Sequence, residues 1–452
     1  MSSSPHALVF PYPAQGHVIP LMELSFRLLD RGFKVTFLNT DYNHERVVSA
    51  MKGKGSNQIR MASIPDGLGP EETRSDLGRL TESIAAVMPK PLENLIMEEK
   101  NKFTRFIADT NMPWAFAIAK KMAIRTVAFF PSAAGLLALF FNITKLIENG
   151  IIDENGLLKE ETCQLSLGVN PVSSLHLPWN CFHDELARKA VFQTCFKTAE
   201  EFAEEIVICN SFEELEKPIF ELYSPRIKPI GPLLATLRSD AASIGSFWSQ
   251  ERACITWLDN QLPKSVIYVA FGSFTVINHK QFHELALGLE LTGRPFLWVV
   301  RPGFTEGTVD EDAYPLNFKE RVLGRGHMVS WAPQQHVLQH PSIACFISHC
   351  GWNSTIEGVT NGVPFLSWPY FGDQFFDQDY ICDVWKIGLG LVPDENGVIR
   401  REQIIAKVEE LLGDEDIKSR SLALKGMAHK SVKEGGSSFE NLNSFVDAMR
   451  GD

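Results

Sequence analysis

The chain has 452 residues, 44% hydrophobic and 22% charged, with a formal net charge of −12 and a pI near 5.5. That length exceeds one ordinary core and implies two domains, with enough apolar residues for sizeable interiors. The acidic balance argues against a nucleic-acid surface, which needs a basic stripe.

The N-terminus, "MSSSPHALVFPYPAQGH", lacks the basic region and long apolar run of a secretory signal. No stretch approaches the roughly 20 apolar residues of a membrane span. The longest candidate, "AAGLLALFFNI" (133–143), reads as a buried helix. The eight cysteines show no CxxC pair, so in a chain with no export signal they read as reduced thiols of a cytoplasmic protein.

In chain order, "ALVFPY" (7–12) reads as a strand that ends in the Pro/Gly-rich loop "PAQGHVIP", with His17 in that loop. Leu21, Leu24, Leu28 and Leu29 mark a helix stopped near Gly32, and "KVTFLNT" (34–40) is the next strand. Further strands are expected at 103–109, ending in Asp109, and at 123–130 and 205–211. A second series follows the irregular stretch 239–254: strands at 265–273, 295–301, 327–332, 343–349 and 363–369, alternating with helices such as 280–293 and 353–361. An amphipathic segment near 437–449 closes the chain. Apolar strands alternating with helices imply parallel sheets covered on both faces, hence an α/β protein of two doubly wound halves joined near 232–250. In such folds ligands bind outside the C-terminal ends of the strands. The unusual motifs of this chain all lie there, which favours an enzyme.

"HCGWNST" (349–355) stands where a strand gives way to a helix. Unsatisfied N–H groups and the helix dipole make such a turn an anion site, and Asn353, Ser354 and Thr355 add polar groups suited to phosphate. His349 can donate to a second phosphate oxygen. The plain alternative is that Asn353 or Ser354 caps the helix. "FGSF" (271–274) ends another strand with a glycine for close approach and the hydroxyl of Ser273. Neither a Walker A sequence nor GxGxxG occurs. A metal site in "CFISHC" is disfavoured, since Cys345 and His349 share a strand face that Cys350 does not, and no second ligand pair follows. His17 and Asp109, both at strand ends of the first half, have the make-up of a histidine base oriented by a carboxylate.

The 44 residues from Trp331 to Gln374, "WAPQQHVLQHPSIACFISHCGWNSTIEGVTNGVPFLSWPYFGDQ", closely resemble the signature box of plant secondary-product UDP-sugar glycosyltransferases. The resemblance extends to "PYPAQGHVIP" and to chain length. It implies a GT-B fold, two Rossmann-like domains facing across a cleft: an acceptor domain (1–235), a linker (236–250), a UDP-sugar domain (251–436) and a C-terminal helix (437–452) packing back on the first domain. It implies that His349, Asn353, Ser354 and Ser273 contact the diphosphate. Trp331 would stack on uracil, Ala332 would bond its edge through the backbone, and Gln334 and Glu357 would hold the ribose. Trp352, Asp373 and Gln374 would contact the sugar, with His17 as general base and Asp109 as its orienting partner. Two positions depart from the family pattern: Pro131, where a hydroxyl-bearing residue is usual, and Gly372, where alanine is usual.

The expected reaction is inverting transfer of glucose from UDP-glucose to a hydroxyl of a small lipophilic plant metabolite, phenolic or flavonoid first, terpenoid or steroid next. The resemblance implies no metal and no other cofactor, and the protein is read as a monomer that takes UDP-sugar and a small-molecule acceptor. The acceptor wall is expected among loops 66–80, 129–141 and 175–196, with Phe129, Phe130, Ser132, Phe140, Trp179 and Phe192, together with Phe371; the alternative for the aromatics of these loops is a place in the core. The competing readings are a GT-B nucleotide-sugar epimerase or hydrolase, and a UDP-sugar-binding protein without catalysis.

Overall fold

The computed structural model describes residues 4–51, 58–99, 103–159, 162–163, 171–173, 176–181, 185–202, 205–234, 246–248, 250–305 and 313–451. The expected linker positions 236–245 and 249, and loop positions 175 and 182–184, lie outside them. The chain divides into two compact units: Met1–Trp248 with His429–Asp452, and Ser249–Ala428. The second unit thus ends before 436, because the chain crosses to the first unit inside the helix Glu415–Ser431. Among the described residues no helix is long and apolar enough to cross a membrane.

The first unit is built on seven parallel strands: β1 (His6–Phe10), β2 (Lys34–Thr40), β3 (Ile59–Ile64), β4 (Arg105–Asp109), β5 (Arg125–Phe130), β8 (Val207–Cys209) and β9 (Ile227–Pro229), in the order β3-β2-β1-β4-β5-β8-β9. A short antiparallel pair, β6 (Thr162–Cys163) with β7 (Val172–Ser173), stands apart. The strand order reverses between β1 and β4, which makes their C-terminal ends the topological switch point. Alternation along β4 puts Arg105, Ile107 and Asp109 on one face. Ile107 belongs to the same core cluster as Leu21, Leu24 and Leu28 of the helix Gln15–Leu29, so that helix covers the face from which Asp109 projects.

The last helix, Ser437–Arg450, presents Leu442, Phe445, Val446 and Met449 at i, i+3, i+4 and i+7 to this cluster. Its C-terminal carbonyls are taken by arginines: Arg105 donates to Met449 O (2.6 Å) and Gly451 O (2.5 Å), and Arg125 to Ala448 O (3.0 Å). Cations at a helix C-terminus satisfy both its orphan carbonyls and its dipole.

The second unit has six parallel strands: β10 (Val266–Ala270), β11 (Phe296–Val299), β12 (Gly326–Val329), β13 (Ile343–Ser348), β14 (Phe365–Ser367) and β15 (Gly388–Gly390), in the order β12-β11-β10-β13-β14-β15. Here the switch point lies between β10 and β13. Ala270 pairs with Ser348, so the two strands end level and their outgoing loops, 271–275 and 349–351, meet. Both units are therefore Rossmann-like, and each has its switch point at a motif singled out by the sequence.

Candidate active site

His17 lies in the first turn of the helix Gln15–Leu29 rather than in a loop, because the chain becomes helical as soon as it leaves "PYPA". The helix fixes the ring against the strand ends. Its Nδ1 is 2.7 Å from Asp109 Oδ2; the histidine side chain is 24% exposed and the aspartate 0%. Asp109 Oδ1 accepts from the Asn111 N–H (2.9 Å) and Nδ2 (3.0 Å). A carboxylate surrounded by donors is acceptor-only, so the ring proton belongs on Nδ1 and Nε2 keeps its lone pair. The buried carboxylate thus fixes, from behind, the tautomer of a partly exposed imidazole. The Tyr12 ring lies 5.0 Å from the His17 ring, and its hydroxyl is hydrogen-bonded to Thr81 Oγ1 (2.9 Å). Asn111 and Tyr12 were not singled out in sequence. "DTN" carried a signal for the first, an aspartate two residues before a donor.

The expected acceptor wall fares differently. Phe129, Trp179 and Phe192 are fully buried and offer no surface to a ligand. Phe129 belongs to the core beside Ile107 and Ile208. Trp179 and Phe192 pack edge to face at 5.1 Å, with Trp179 Nε1 donating to Gly156 O (2.7 Å). Phe130 and Phe140 likewise pack perpendicular at 5.8 Å. These aromatics are core in this structure, since strands covered on both faces bury either side. Pro131 and Ser132 are buried in a turn locked by Glu216, whose carboxylate accepts from the Ala134 N–H (3.0 Å), the Gly135 N–H (2.8 Å) and Ser211 Oγ (2.6 Å). A carboxylate on the first N–H groups of the helix Ala134–Glu148 satisfies orphan donors and the helix dipole together.

In the second unit the helix begins at Trp352, with Gly351 as N-cap and no side-chain cap hydrogen bond. Neither Asn353 nor Ser354 therefore caps this helix. Cys350 sits at φ 66°, turning the chain sharply so that His349 lies back against the β10 loop. A Cβ at Gly272 would fall 2.5 Å from His349 Nε2, and one at Gly351 would fall 2.7 Å from it. Gly272 also has φ +67°, so both its backbone and its neighbour require glycine. The half-buried imidazole is pushed down to about 4, first by desolvation and then by the charge of Arg301. His349 is thus a neutral ring at pH 7, able to donate one N–H but carrying no charge.

Ser354 Oγ and Glu357 Oε2 both accept from Gln334 Nε2, at 2.9 and 2.7 Å, while Tyr268 OH donates to Gln334 Oε1 (3.1 Å). Burial pushes the Glu357 carboxyl up to about 7, opposed by its bonds from Gln334 and Gln335. Trp331 is half-buried, and its carbonyl accepts from the Glu251 N–H (2.9 Å). Glu251 Oε1 in turn accepts from Ser330 N–H and Oγ, at 2.6 and 2.5 Å. Ala332 is buried beside Trp331, and Ser273 is half-buried in the β10 loop. Trp352 is buried 6.3 Å from Trp385, which stacks on Tyr380 at 4.9 Å. Asp373 and Gln374 open the helix Gln374–Asp379. The amide oxygen of Gln374 accepts from the N–H groups of Tyr370 (2.8 Å) and Phe371 (3.1 Å), so of its side chain only Nε2 is left to donate. Gly372 sits at φ +65°, where glycine is unstrained, so its presence suits the turn before Asp373. Phe371 is half-buried and belongs to the second unit.

The structure thus gathers His17 and Asp109 at one switch point and the 331–374 residues with Ser273 around the other. Residues 252–432 match the family model described as UDP-glucoronosyl and UDP-glucosyl transferase. The chain is 44% identical to UDP-glycosyltransferase 83A1 of Arabidopsis thaliana, over 99% of this chain and 97% of that protein. It is 32% identical to 7-deoxyloganetic acid glucosyltransferase of Catharanthus roseus, over 99% of this chain and 98% of that one. Among solved structures it is similar to a UDP-glucosyltransferase from Polygonum tinctorium capable of glucosylating indoxyl, with a TM-score of 0.83, 28% identity, and coverage of 100% of this chain and 99% of that one. Identity of this extent along the whole length, on two Rossmann-like units, establishes that the chain belongs to the plant UDP-glycosyltransferase family and has its GT-B fold.

Proposed function

We propose that the protein transfers glucose from UDP-glucose to a hydroxyl of a small lipophilic metabolite, phenolic acceptors first, with inversion at the anomeric carbon. The observation that carries this reading is the His17–Asp109 pair, which leaves an unprotonated Nε2 on a partly open ring at a switch point. The acceptor hydroxyl gives its proton to Nε2 as its oxygen bonds to the anomeric carbon. The bond from that carbon to the UDP oxygen breaks with its electron pair, and the proton later passes to solvent. Asp109 stays ionised and stabilises the imidazolium.

The departing diphosphate is read as held by the helix N-terminus at Trp352–Ser354, by Ser273 and by the neutral N–H of His349. Trp331 and the Ala332 backbone take the uracil, Gln334 and Glu357 the ribose, and Trp352, Asp373 and Gln374 the sugar. This scheme requires no metal ion. Names of relatives support glucose as the donor sugar, one being a glucosyltransferase for 7-deoxyloganetic acid and another for indoxyl.

Donor choice follows from Gln374. With its oxygen spent on two backbone N–H groups, the side chain meets the sugar as a donor from a fixed direction. An equatorial hydroxyl and an axial one cannot both satisfy it. Leaving one buried polar group unpaired costs about 1–3 kcal/mol, or roughly 5- to 150-fold in specificity. Turnover efficiency with UDP-glucose is expected to exceed that with UDP-galactose, whose 4-hydroxyl is axial, by that factor on one acceptor. Equal or better use of UDP-galactose, or of UDP-xylose or UDP-glucuronate, overturns the donor assignment.

A further inference from the structure

Arg301 follows β11, at the end of the apolar run "FLWVVR", and is only 6% exposed. All three of its hydrogen bonds go to backbone carbonyls: Nε to Gly272 O (3.2 Å), one terminal nitrogen to Thr275 O (2.5 Å) and the other to Pro302 O (3.1 Å). Among the described residues it has no carboxylate partner. Burial draws the guanidinium down to about 10, which still leaves it charged at neutral pH. A buried cation without a counter-ion is costly, and such a charge is ordinarily paired. It is also out of place beside His349, whose own protonation it opposes.

Two features say what the charge is for. Gly272 stands between Arg301 and His349: its carbonyl oxygen takes the guanidinium, and its α-carbon is pressed against the imidazole. In a trans peptide the carbonyl and the following N–H point in opposite directions. Arg301 therefore turns the Ser273 N–H away from itself, and no described residue accepts from that N–H. The same strand-end loop thus carries an oriented free donor on one side and a buried positive charge on the other.

We propose that Arg301 is a positioning residue for the donor diphosphate, one that bends the 272–275 loop so that its backbone donors meet the phosphates and supplies from beneath the fixed positive charge that neutral His349 does not. This rests on the reading that the second unit holds a nucleoside diphosphate. The anion is the missing counter-ion, so binding it relieves the cost of the buried guanidinium. The uracil and ribose contacts lie on other elements and are outside its reach.

The test compares UDP with uridine by calorimetry in wild-type protein, Arg301→Met and Arg301→Lys, with thermal melting and near-UV circular dichroism to confirm folding. Arg301→Met is expected to weaken UDP on the order of 10- to 100-fold, the usual range for losing a charge-assisted contact, while uridine changes by less than about twofold. Arg301→Lys, which keeps the charge but not the fork, is expected to recover part of the loss. Wild-type protein that binds UDP no better than uridine overturns the donor reading and this inference with it. Wild-type protein that prefers UDP, beside a folded Arg301→Met that keeps the full preference or loses uridine equally, overturns this inference alone. If Arg301→Met fails to fold, the wild-type Arg301 Nε–H resonance, assigned by its loss in Arg301→Lys, decides. It is expected to shift with UDP and not with uridine, and the absence of a UDP-specific shift overturns the proposal.

Discussion

His17→Ala is expected to lower turnover by about two to four orders of magnitude, the usual share of general acid–base catalysis, while UDP affinity stays within about twofold of wild type. His17 lies in the first unit and the residues assigned to UDP in the second, so the two properties separate. Asp109→Asn tests the same pair from behind. An amide in that position can offer its N–H to Nδ1 and so favours the tautomer protonated on Nε2, the wrong one for a base. Its effect is expected to approach that of His17→Ala. Steady-state kinetics on an ordinary hydroxyl acceptor checks both, because an acidic phenol already ionised in solution needs no base. Near-normal turnover by His17→Ala on such an acceptor contradicts its role.

Affinity for UDP-glucose is expected to rise with pH below about 7 and to level off above it, because burial holds the Glu357 carboxyl up at about 7. The sign follows from what the ribose requires. Its hydroxyls donate, so the bound form wants the ionised carboxylate, and the free protein below that pH must first release a proton. The linkage is about tenfold in affinity per pH unit well below the midpoint, falling to nothing above it. His349, held near 4, stays neutral throughout and does not contribute. UDP-glucose is the ligand of choice here, because UDP has a terminal phosphate that titrates in the same range. Glu357→Gln is expected to bind about 10- to 100-fold more weakly above pH 7 and to lose the slope. Calorimetry across about pH 6 to 8, roughly one unit either side of the midpoint, reads both. A wild-type affinity that is flat or falls with pH in this range contradicts the assignment of Glu357 to the ribose.

What could be read in the sequence depended on whether a signal was local. β2 matches the expected 34–40, since alternation and β-branched residues were both present. The helix expected at 353–361 begins one residue earlier, at Trp352. β3 was not named in sequence, and β15, the run Gly388–Gly390, and β9, the run Ile227–Pro229, were missed for a physical reason. Three residues with glycine or proline carry no strand periodicity, and they are strands only because a neighbouring strand end is there to pair with them. The turn at 349–355 announced its chemistry through composition. Its exact support did not: that Gly272 makes room for His349 follows from β10 and β13 being neighbours, a fact of strand order and not of spacing. Arg301 was visible as a lone charge closing an apolar run, yet nothing local said which loop it would brace. The aromatics expected in the acceptor wall are a related case. Phe129 and Phe192 are aromatic whether they line a pocket or fill a core, and in a sheet covered on both faces periodicity cannot choose between the two.

The most direct measurement follows one reaction by proton NMR: UDP-glucose, whose glucosyl bond is α, with a phenolic acceptor and the wild-type protein. The expected result is a β-glucoside, shown by its large axial–axial anomeric coupling, formed in step with an equal amount of UDP and only when acceptor is present. That outcome requires in-line displacement by an acceptor oxygen, the step assigned to His17 in the proposed function. An α-glucoside, or UDP and free glucose released at the same rate without acceptor, would contradict it.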